Sequence, residues 1–241
     1  MLIKTKGIVL HSLKYSETSI IVRIYTEAFG LQSYLFKGIR NPKSKTKAGL
    51  FQPLTLLEVV AYSKINTNLH TAKEVRLFQP YLNIPFDIRK SSITLFMNEL
   101  LYKSIREEET NPELFAYLWK SCLLLDSTEE HLNCFPLVFT AELTRFLGIQ
   151  PQSGFTEKKQ VYNLRESQFQ AMIPDNEAYV LPEYGKLFNS LISTEIEKQS
   201  GLHFKPAVRR SLLDSLLIYY RIHIPGFKPM NSHHILHSVL S

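Results

Sequence analysis

The stretch "GIVLHSLKYSETSIIVRIYTEAFGLQSYLFKGI", residues 7–39, decides the fold of this chain. It contains three runs that are rich in β-branched and aromatic residues, and the short breaks "SE" and "EAFG" separate them, as is typical of short strands. Two similar runs follow at residues 54–63 and 69–78. Five short strands within about 75 residues predict a small barrel.

After residue 80 the spacing of the apolar residues becomes helical. Asp87 is a suitable N-cap for a helix over residues 87–109. Asn111, followed by Pro112 in the first helical position, predicts the start of the next helix.

A third helix is predicted over residues 127–148, with Ser127 as its N-cap and Gly148 as its C-cap. Pro136 either kinks this helix or marks its true start. Helical spacing returns in three later segments, residues 183–199, 206–224 and 232–240.

The pattern therefore predicts an α+β, multi-domain protein. A five-stranded barrel occupies residues 1–80, and an all-α helical bundle occupies residues 81–241. At about 150–181 the helical periodicity is lost, which predicts a small irregular insertion with short β-strands.

The formal net charge of +6 is concentrated in the first third of the chain. Residues 1–80 contain twelve Lys or Arg and four Glu, whereas the remainder contains 16 basic and 18 acidic residues. Such asymmetry indicates a module that binds nucleic acid or an anionic membrane. A membrane-binding segment carries its cations on an amphipathic helix, and these cations lie among strand-like and turn-like residues, which favours nucleic acid.

The basic tract, residues 37–47, joins the third and fourth predicted strands and contains no acidic residue. Its five cations, together with Arg23 on the second strand, are the predicted phosphate contacts. They are Lys37, Arg40, Lys43, Lys45, Lys47 and Arg23. The alternative is a flexible cationic loop that has no partner.

Two aromatic residues, Tyr34 and Phe36, precede the basic tract on one side of the third strand. Aromatic side chains beside Lys or Arg are the usual means of binding single strands without sequence preference. We therefore include Tyr34 and Phe36 among the candidate nucleic-acid-binding residues. The alternative is that both point into the barrel and belong to its core.

The sequence carries none of the fixed-spacing motifs for nucleotide hydrolysis, dinucleotide binding, zinc proteolysis or serine hydrolysis. We therefore predict a protein that is not an enzyme and uses no cofactor. His233, His234 and His237 suggest a metal site only weakly, because the sequence shows no further ligand or supporting residues.

Cys122 and Cys134 lie in apolar surroundings and are predicted to be buried thiols. The first residues lack the apolar run of a signal peptide, and no segment approaches the roughly 20 apolar residues of a membrane helix. These features predict a cytoplasmic protein without a membrane partner.

The segments "GIVLHSLKYSETSIIVRIYTEAFG", "KGIRNPKSK" and "FQPLTLLEV" are similar in order and spacing to the N-terminal domain of the RecO family of bacterial recombination mediators. The similarity continues through "ELTRFLGIQP" and "RRSLLDSLLIYYRIHIPGFKPMNSHHIL" and so covers nearly the whole chain. The resemblance implies that the barrel is an OB-fold and that a helical bundle follows it.

In many RecO-like proteins the segment equivalent to residues 150–181 is a zinc ribbon built on four cysteines. This chain has no cysteine there, so we predict that the segment binds no zinc. Packing must then hold it together, and the predicted packing residues are Phe155, Tyr162, Leu164, Phe169 and Met172.

The resemblance also implies a function, that of a mediator of DNA repair and homologous recombination. RecO-like proteins bind single- and double-stranded DNA and anneal complementary strands. With RecR as a partner, they help to load RecA onto single-stranded DNA that is coated by the single-strand-binding protein, SSB. Such a role implies a nucleoid-associated protein.

The implied SSB partner contributes an acidic tail that ends in apolar residues, so its site should be an apolar pocket rimmed by Lys or Arg. The helical region offers five candidate cations for that rim. They are Arg145, Lys205, Arg209, Arg210 and Arg221.

Two other functions stay open at this point. One is an RNA-binding OB-fold factor, because a barrel with a basic loop does not by itself distinguish DNA from RNA. The other is a nuclease whose carboxylates are scattered in sequence. The acidic residues of the basic module are Glu17, Glu27, Glu58 and Glu74.

Overall fold

The computed structural model describes residues 2–39, 48–62, 69–105, 109–129 and 131–240. The chain divides into two compact units. The first comprises Met1–Asn83 and Ile105–Leu123, and the second comprises Ile84–Ser104 and Leu124–Ser241. The segment Ile105–Leu123 thus groups with the N-terminal unit, although the linear boundary predicted after residue 80 assigns it to the helical domain.

Five strands of the first unit form a closed barrel in the order β1-β2-β3-β5-β4. Their bounds are β1 Leu2–Lys14, β2 Ile20–Thr26, β3 Gly30–Phe36, β4 Leu56–Tyr62 and β5 His70–Leu77. The pairs are antiparallel except for β3 with β5, which run parallel. A five-stranded barrel of this kind is the architecture of the OB-fold, so that prediction is confirmed.

The interior of the barrel is apolar because one side of each strand carries β-branched or aromatic residues. On β2 these residues are Ile20, Val22 and Ile24, and none of them is more than 7% exposed. Leu57 and Val59 of β4 belong to the same cluster and are fully buried. Burial of such side chains contributes about 1.5–3 kcal/mol each before the entropy of ordering is subtracted.

β1 is long enough to pair with two strands, β4 through its first half and β2 through its second. A register shift between Val9 and His11 marks a bulge, which bends the strand around the barrel. Gly7 lies where both pairings overlap, and a Cβ at this position would be 2.5 Å from the Ile24 side chain. The glycine therefore permits the close approach of β1 and β2.

Six α-helices lie within the described residues. They are α1 Ile88–Ser104, α2 Pro112–Ser127, α3 Phe135–Phe146, α4 Pro182–Ile192, α5 Pro206–His223 and α6 Ser232–Val239. Short 3₁₀ helices cover Ala48–Phe51, Ile84–Phe86, Leu132–Cys134 and Ile196–Gly201. None of the helices in these ranges combines the length and the apolar content that crossing a membrane requires.

The predicted N-cap of the first helix and the predicted start of the second are confirmed. Asp87 Oδ1 accepts a hydrogen bond from the backbone N of Arg89 at 2.8 Å, and Asn111 Oδ1 accepts one from Leu114 N at 2.9 Å. These bonds satisfy N–H groups that have no partner inside their own helix.

The predicted start of the third helix was wrong. Ser127 is the last residue of α2, where its hydroxyl donates to the Leu124 carbonyl at 3.2 Å, and α3 begins at Phe135. Pro136 therefore marks the start of α3, which was the alternative. Gly148 ends this helix as predicted, with a positive φ of 72°.

The insertion forms a three-stranded sheet in the order β7-β6-β8. Its strands are β6 Val161–Asn163, β7 Gln168–Gln170 and β8 Tyr179–Val180. Tyr162, Leu164 and Phe169 are buried as predicted, and the ring of Phe155 lies edge-on to that of Phe169. Met172 was wrongly predicted to pack here, because it lies beyond β7 and is 79% exposed.

The two cysteines, Cys122 and Cys134, are free and buried, as predicted. Burial raises the pKa of the Cys122 thiol to about 12 and also raises that of Cys134. Both side chains therefore act as small apolar residues rather than as nucleophiles at neutral pH. Within the described residues, no group of His, Cys, Asp and Glu is placed to hold a metal ion.

Candidate nucleic-acid interface

The basic tract lies in the connection between β3 and β4, as predicted, since β3 ends at Phe36 and β4 begins at Leu56. Lys37, the first residue after β3, is exposed. The other predicted cations of the tract lie outside the described residues. These are Arg40, Lys43, Lys45 and Lys47.

Tyr34 and Phe36 lie inside the barrel, with 2% and 4% of their surfaces exposed. The Phe36 ring packs against Phe51 with centroids 4.6 Å apart, and burial raises the pKa of Tyr34 to about 12. Neither ring presents a face to a base. Their inclusion among the binding residues is therefore corrected, because the side of β3 that carries them is the core side.

The other side of β1, β2 and β3 forms an outer face that is at least partly accessible. The ladder aligns His11 of β1 with Arg23 of β2, and Arg23 with Ser33 of β3. The next row on this face consists of Leu13, Ile21 and Leu35, and Leu13 is 43% exposed. We call these six residues the outer platform: His11, Leu13, Ile21, Arg23, Ser33 and Leu35.

Arg23 occupies the centre of the polar row, and its charge acts on His11. Burial lowers the pKa of His11, and the positive charge of Arg23 lowers it further. An anion on the outer platform would counteract the effect of Arg23, because it would favour the protonated imidazole. Arg23 is therefore the residue of this row whose charge is suited to a phosphate group.

The turn between β1 and β2 lies at one end of the outer platform, since Lys14 pairs with Ile20 and Ile20 pairs with Phe36. A hydrogen bond closes the turn, in which the backbone N of Tyr15 donates to the Ser19 carbonyl at 3.0 Å. It presents the Tyr15 side chain, which is 60% exposed.

A second accessible tyrosine, Tyr62, ends β4 and is 46% exposed. OB-folds bind oligonucleotides with the face of strands 2 and 3 and with the loops after strands 1 and 4, which are the positions of Tyr15 and Tyr62. Sequence reasoning did not include these two tyrosines among the candidates. The available signal was their place at strand ends, next to polar breaks, where an aromatic side chain has no core to enter.

On a different face of the barrel, formed by β1, β4 and β5, three cations interact with other side chains of the molecule. Glu58 pairs with Lys4 at 2.8 Å and with Arg76, and the hydrogen bond from Arg76 and then that from Lys4 lower the pKa of Glu58. Lys6 lies 5.4 Å from the ring centroid of Phe78. Glu58, one of the acids considered for a nuclease, is thus the centre of an ion-pair cluster.

In the second unit, α3, α5 and α6 border a groove that is lined by apolar side chains and by arginines. Its lining includes Pro136, Leu137, Leu213, Leu236, Arg209 and Arg210. We call this the arginine groove. Two of the five cations predicted to contact a partner tail are therefore brought together at an apolar surface.

The five cations differ in their surroundings. Arg209 donates hydrogen bonds to the carbonyls of Phe204 and Leu240, which fixes its guanidinium, whereas Arg210 is exposed. Lys205 is exposed directly before Pro206, another lining residue. Arg145, whose guanidinium lies 4.8 Å from the Phe146 ring, and Arg221 are outside the lining of the arginine groove.

Comparison with known proteins gives matches along most of this chain. Residues 1–81 match the family model described as Recombination protein O N terminal, and residues 85–233 match Recombination protein O C terminal. The DNA repair protein RecO of Bacteroides fragilis is 38% identical over 237 residues, which is 98% of each chain. Those of Phocaeicola vulgatus and Christiangramia forsetii are each 36% identical, over 100% and 99% of both chains. The resemblance drawn from the sequence is thereby confirmed, and the chain belongs to the RecO family.

Proposed function

We propose that this chain is a non-enzymatic mediator of DNA repair and homologous recombination, which binds single- and double-stranded DNA and anneals complementary strands. The observation that carries the proposal is the outer platform of the barrel. It combines a central Arg23 with the exposed Tyr15 at one end, and the basic tract begins at Lys37 after the adjacent strand. The name DNA repair protein, borne by its relatives, supports the same function.

Annealing needs no covalent step on this proposal. Two strands repel each other through their phosphates, and a cationic surface that neutralises both lowers the cost of their encounter. Arg23, Lys37 and the remaining cations of the basic tract supply that surface. Tyr15 and Tyr62 then stack on bases, which adds about 1–3 kcal/mol per base without sequence preference.

The arginine groove is the proposed site for the acidic, apolar tail of SSB. Its leucines suit the apolar end of the tail, and the exposed Arg210 and Lys205 suit its carboxylates. We further propose that the protein acts with RecR in assisting RecA to load onto SSB-coated DNA. Its place of action would then be the nucleoid in the cytoplasm.

The test is an annealing assay with complementary oligonucleotides coated by SSB, performed across a salt series. We expect faster annealing in the presence of the protein and an effect that declines as salt rises. Protein that leaves the annealing rate unchanged at low salt would refute the proposal. Tighter binding to matched RNA than to DNA would instead support the RNA-binding alternative, and metal-dependent cleavage would support a nuclease.

A further inference from the structure

The β1–β4–β5 face of the barrel carries a row of three charged residues with a carboxylate at its centre. The ladder pairs Lys6 of β1 with Glu58 of β4, and Glu58 with Arg76 of β5. Lys4 lies two residues before Lys6 on β1 and is a diagonal neighbour of Glu58, within reach of a long side chain. One glutamate therefore has three cations as its neighbours in the ladder.

Two of these cations bind Glu58 directly. Glu58 pairs with Lys4 at 2.8 Å and accepts a hydrogen bond from Nε of Arg76. The ammonium of Lys6 lies 5.4 Å from the ring centroid of Phe78. The hydrogen bond from Arg76, followed by that from Lys4, lowers the pKa of Glu58, so its carboxylate is ionised at neutral pH.

The two bound cations are exposed, and the carboxylate between them is much less so. The side chains of Lys4 and Arg76 are 58% and 68% exposed, whereas that of Glu58 is 14% exposed. A cleft of about 260 Å³ lies among these side chains, which is many times the volume that one water molecule needs. Glu74 also lines the cleft, and its charge acts on Arg76 without a direct bond.

We propose that Glu58 is a specificity-determining residue, which occupies a phosphate site formed by Lys4 and Arg76 and so keeps nucleic acid off the β1–β4–β5 face. The inference rests on the proposed function, because it requires that the barrel binds nucleic acid. An ammonium and a guanidinium are the groups that bind phosphates in proteins. With Glu58 between them, a phosphate meets a carboxylate of like charge, and such repulsion excludes a ligand from a surface.

Removal of the charge of Glu58 should open this site. Glu58→Gln keeps the size of the side chain, and Lys4 and Arg76 then become two additional phosphate contacts. Each contact on a single strand steepens the slope of log affinity against log salt by about 0.7, so the slope of E58Q should be steeper than that of wild type by about 1.4. A difference of this size corresponds to an affinity gain of about tenfold at low salt.

The experiment measures binding of the full chain to a long fluorescent oligo(dT) by anisotropy, from about 50 to 500 mM salt. Wild type is compared with E58Q, and K4Q/R76Q is compared with K4Q/R76Q/E58Q. Both comparisons remove the same charge, but only the first leaves the two cations in place. Glu27→Gln removes an equal charge from an exposed position directly after β2 and controls for net charge.

We expect E58Q to gain affinity and slope over wild type. The same substitution in the K4Q/R76Q background, and E27Q, should each gain less than about twofold, because a single distant charge is screened by salt. Glu58→Met, which has a similar length and no charge, repeats the test if E58Q does not fold.

Equal gains from E58Q in the two backgrounds would overturn the inference, since they would show a general charge effect. The absence of a gain over wild type would overturn it as well. In both cases binding by wild type would leave the proposed function intact. If no variant binds oligo(dT) at low salt, the proposed function fails and the inference fails with it.

Discussion

Glu99 accepts a hydrogen bond from the backbone N of Ser232 at 2.8 Å, so a residue of α1 caps the first turn of α6. In the described segment 131–240, the side chain of Asn231, the N-cap residue of α6, makes no capping hydrogen bond. Burial favours the neutral form of Glu99, but hydrogen bonds from Lys103 and Ser232 outweigh it and lower the pKa of Glu99 to about 2. The C-terminal helix is therefore held by an ionised carboxylate.

Replacing Glu99 by Gln should lower the free energy of unfolding at pH 7 by about 1–2 kcal/mol, since charge-assisted hydrogen bonds are lost and solvent screens part of the effect. The pKa of Glu99 is lower in the folded state than in the unfolded state, so its contribution is complete above about pH 4.5 and disappears as the pH falls towards 2. Urea denaturation between pH 7 and pH 2.5 measures this. E99Q should lose less stability than wild type on acidification, while the exposed-site control Glu166→Gln should behave as wild type; parallel losses in all three would contradict the prediction.

Tyr15→Ala should weaken binding to single-stranded DNA by roughly 5- to 150-fold, which corresponds to the stacking energy of one base. Its folding should be unaffected because the side chain is largely exposed. Fluorescence anisotropy with oligo(dT) measures the affinity. Tyr15→Phe keeps the ring and is the matched control, so equal weakening in both variants would show that stacking is not the role of Tyr15.

The combined variant K43Q/K45Q/K47Q should flatten the salt dependence of binding. A wild type with four or five phosphate contacts should show a slope of log affinity against log salt of roughly −3, and each lost contact on a single strand reduces the slope by about 0.7. The control K158Q/K159Q/K186Q removes the same charge from exposed positions of the second unit. A slope that stays at the wild-type value in the first variant would exclude these lysines from the interface.

Phe36→Ala should destabilise the barrel by about 3–5 kcal/mol, because it leaves a cavity beside Phe51. Chemical denaturation measures the loss. Phe36→Leu fills most of the space and should remain folded, and its affinity for single-stranded DNA should equal that of wild type. A selective loss of DNA binding in folded F36L would restore Phe36 as a contact residue.

Arg210→Glu should weaken binding of an acidic peptide with an apolar C-terminus by at least about tenfold, since it replaces an attraction with a like-charge repulsion. Isothermal titration of the full chain with the peptide measures this effect. Arg221→Glu, which makes the same charge change outside the arginine groove, should bind as wild type. Equal effects of both variants would indicate a general charge effect rather than a site.

The features that sequence reasoning predicted correctly depend on short-range signals. The strands follow from alternation, and the helix starts at Asp87 and Asn111 follow from residue types whose side chains reach backbone N–H groups two or three residues later. The side of β3 that faces the barrel interior cannot be predicted in this way. Both of its sides carry apolar residues, Leu31 and Leu35 on one and Tyr34 and Phe36 on the other, so alternation separates the two sides without identifying the core.

The features that escaped prediction depend on long-range geometry. Glu99 and Ser232 are 133 residues apart, and neither residue alone indicates a cap. The alignment of His11 with Arg23 depends on the bulge in β1, which shifts the register by an amount that composition does not reveal. The charge of the barrel was thus enough to propose a candidate site there, while the alignment of the residues on its outer platform required the structure.

The rings of Tyr25 and Phe115 are in contact, with centroids 6.2 Å apart. This contact limits how far a nucleic-acid strand could extend over the barrel. Tyr25 shares the outward side of β2 with Arg23, yet it is only 1% exposed. The outer platform spans three strands, or about 10 Å between the outer axes, which corresponds to roughly three stacked nucleotides. If a nucleic-acid strand bound the proposed face over so short a length, its adjacent nucleotides would not contact the protein. Their Watson–Crick edges would then be open to an incoming complementary strand.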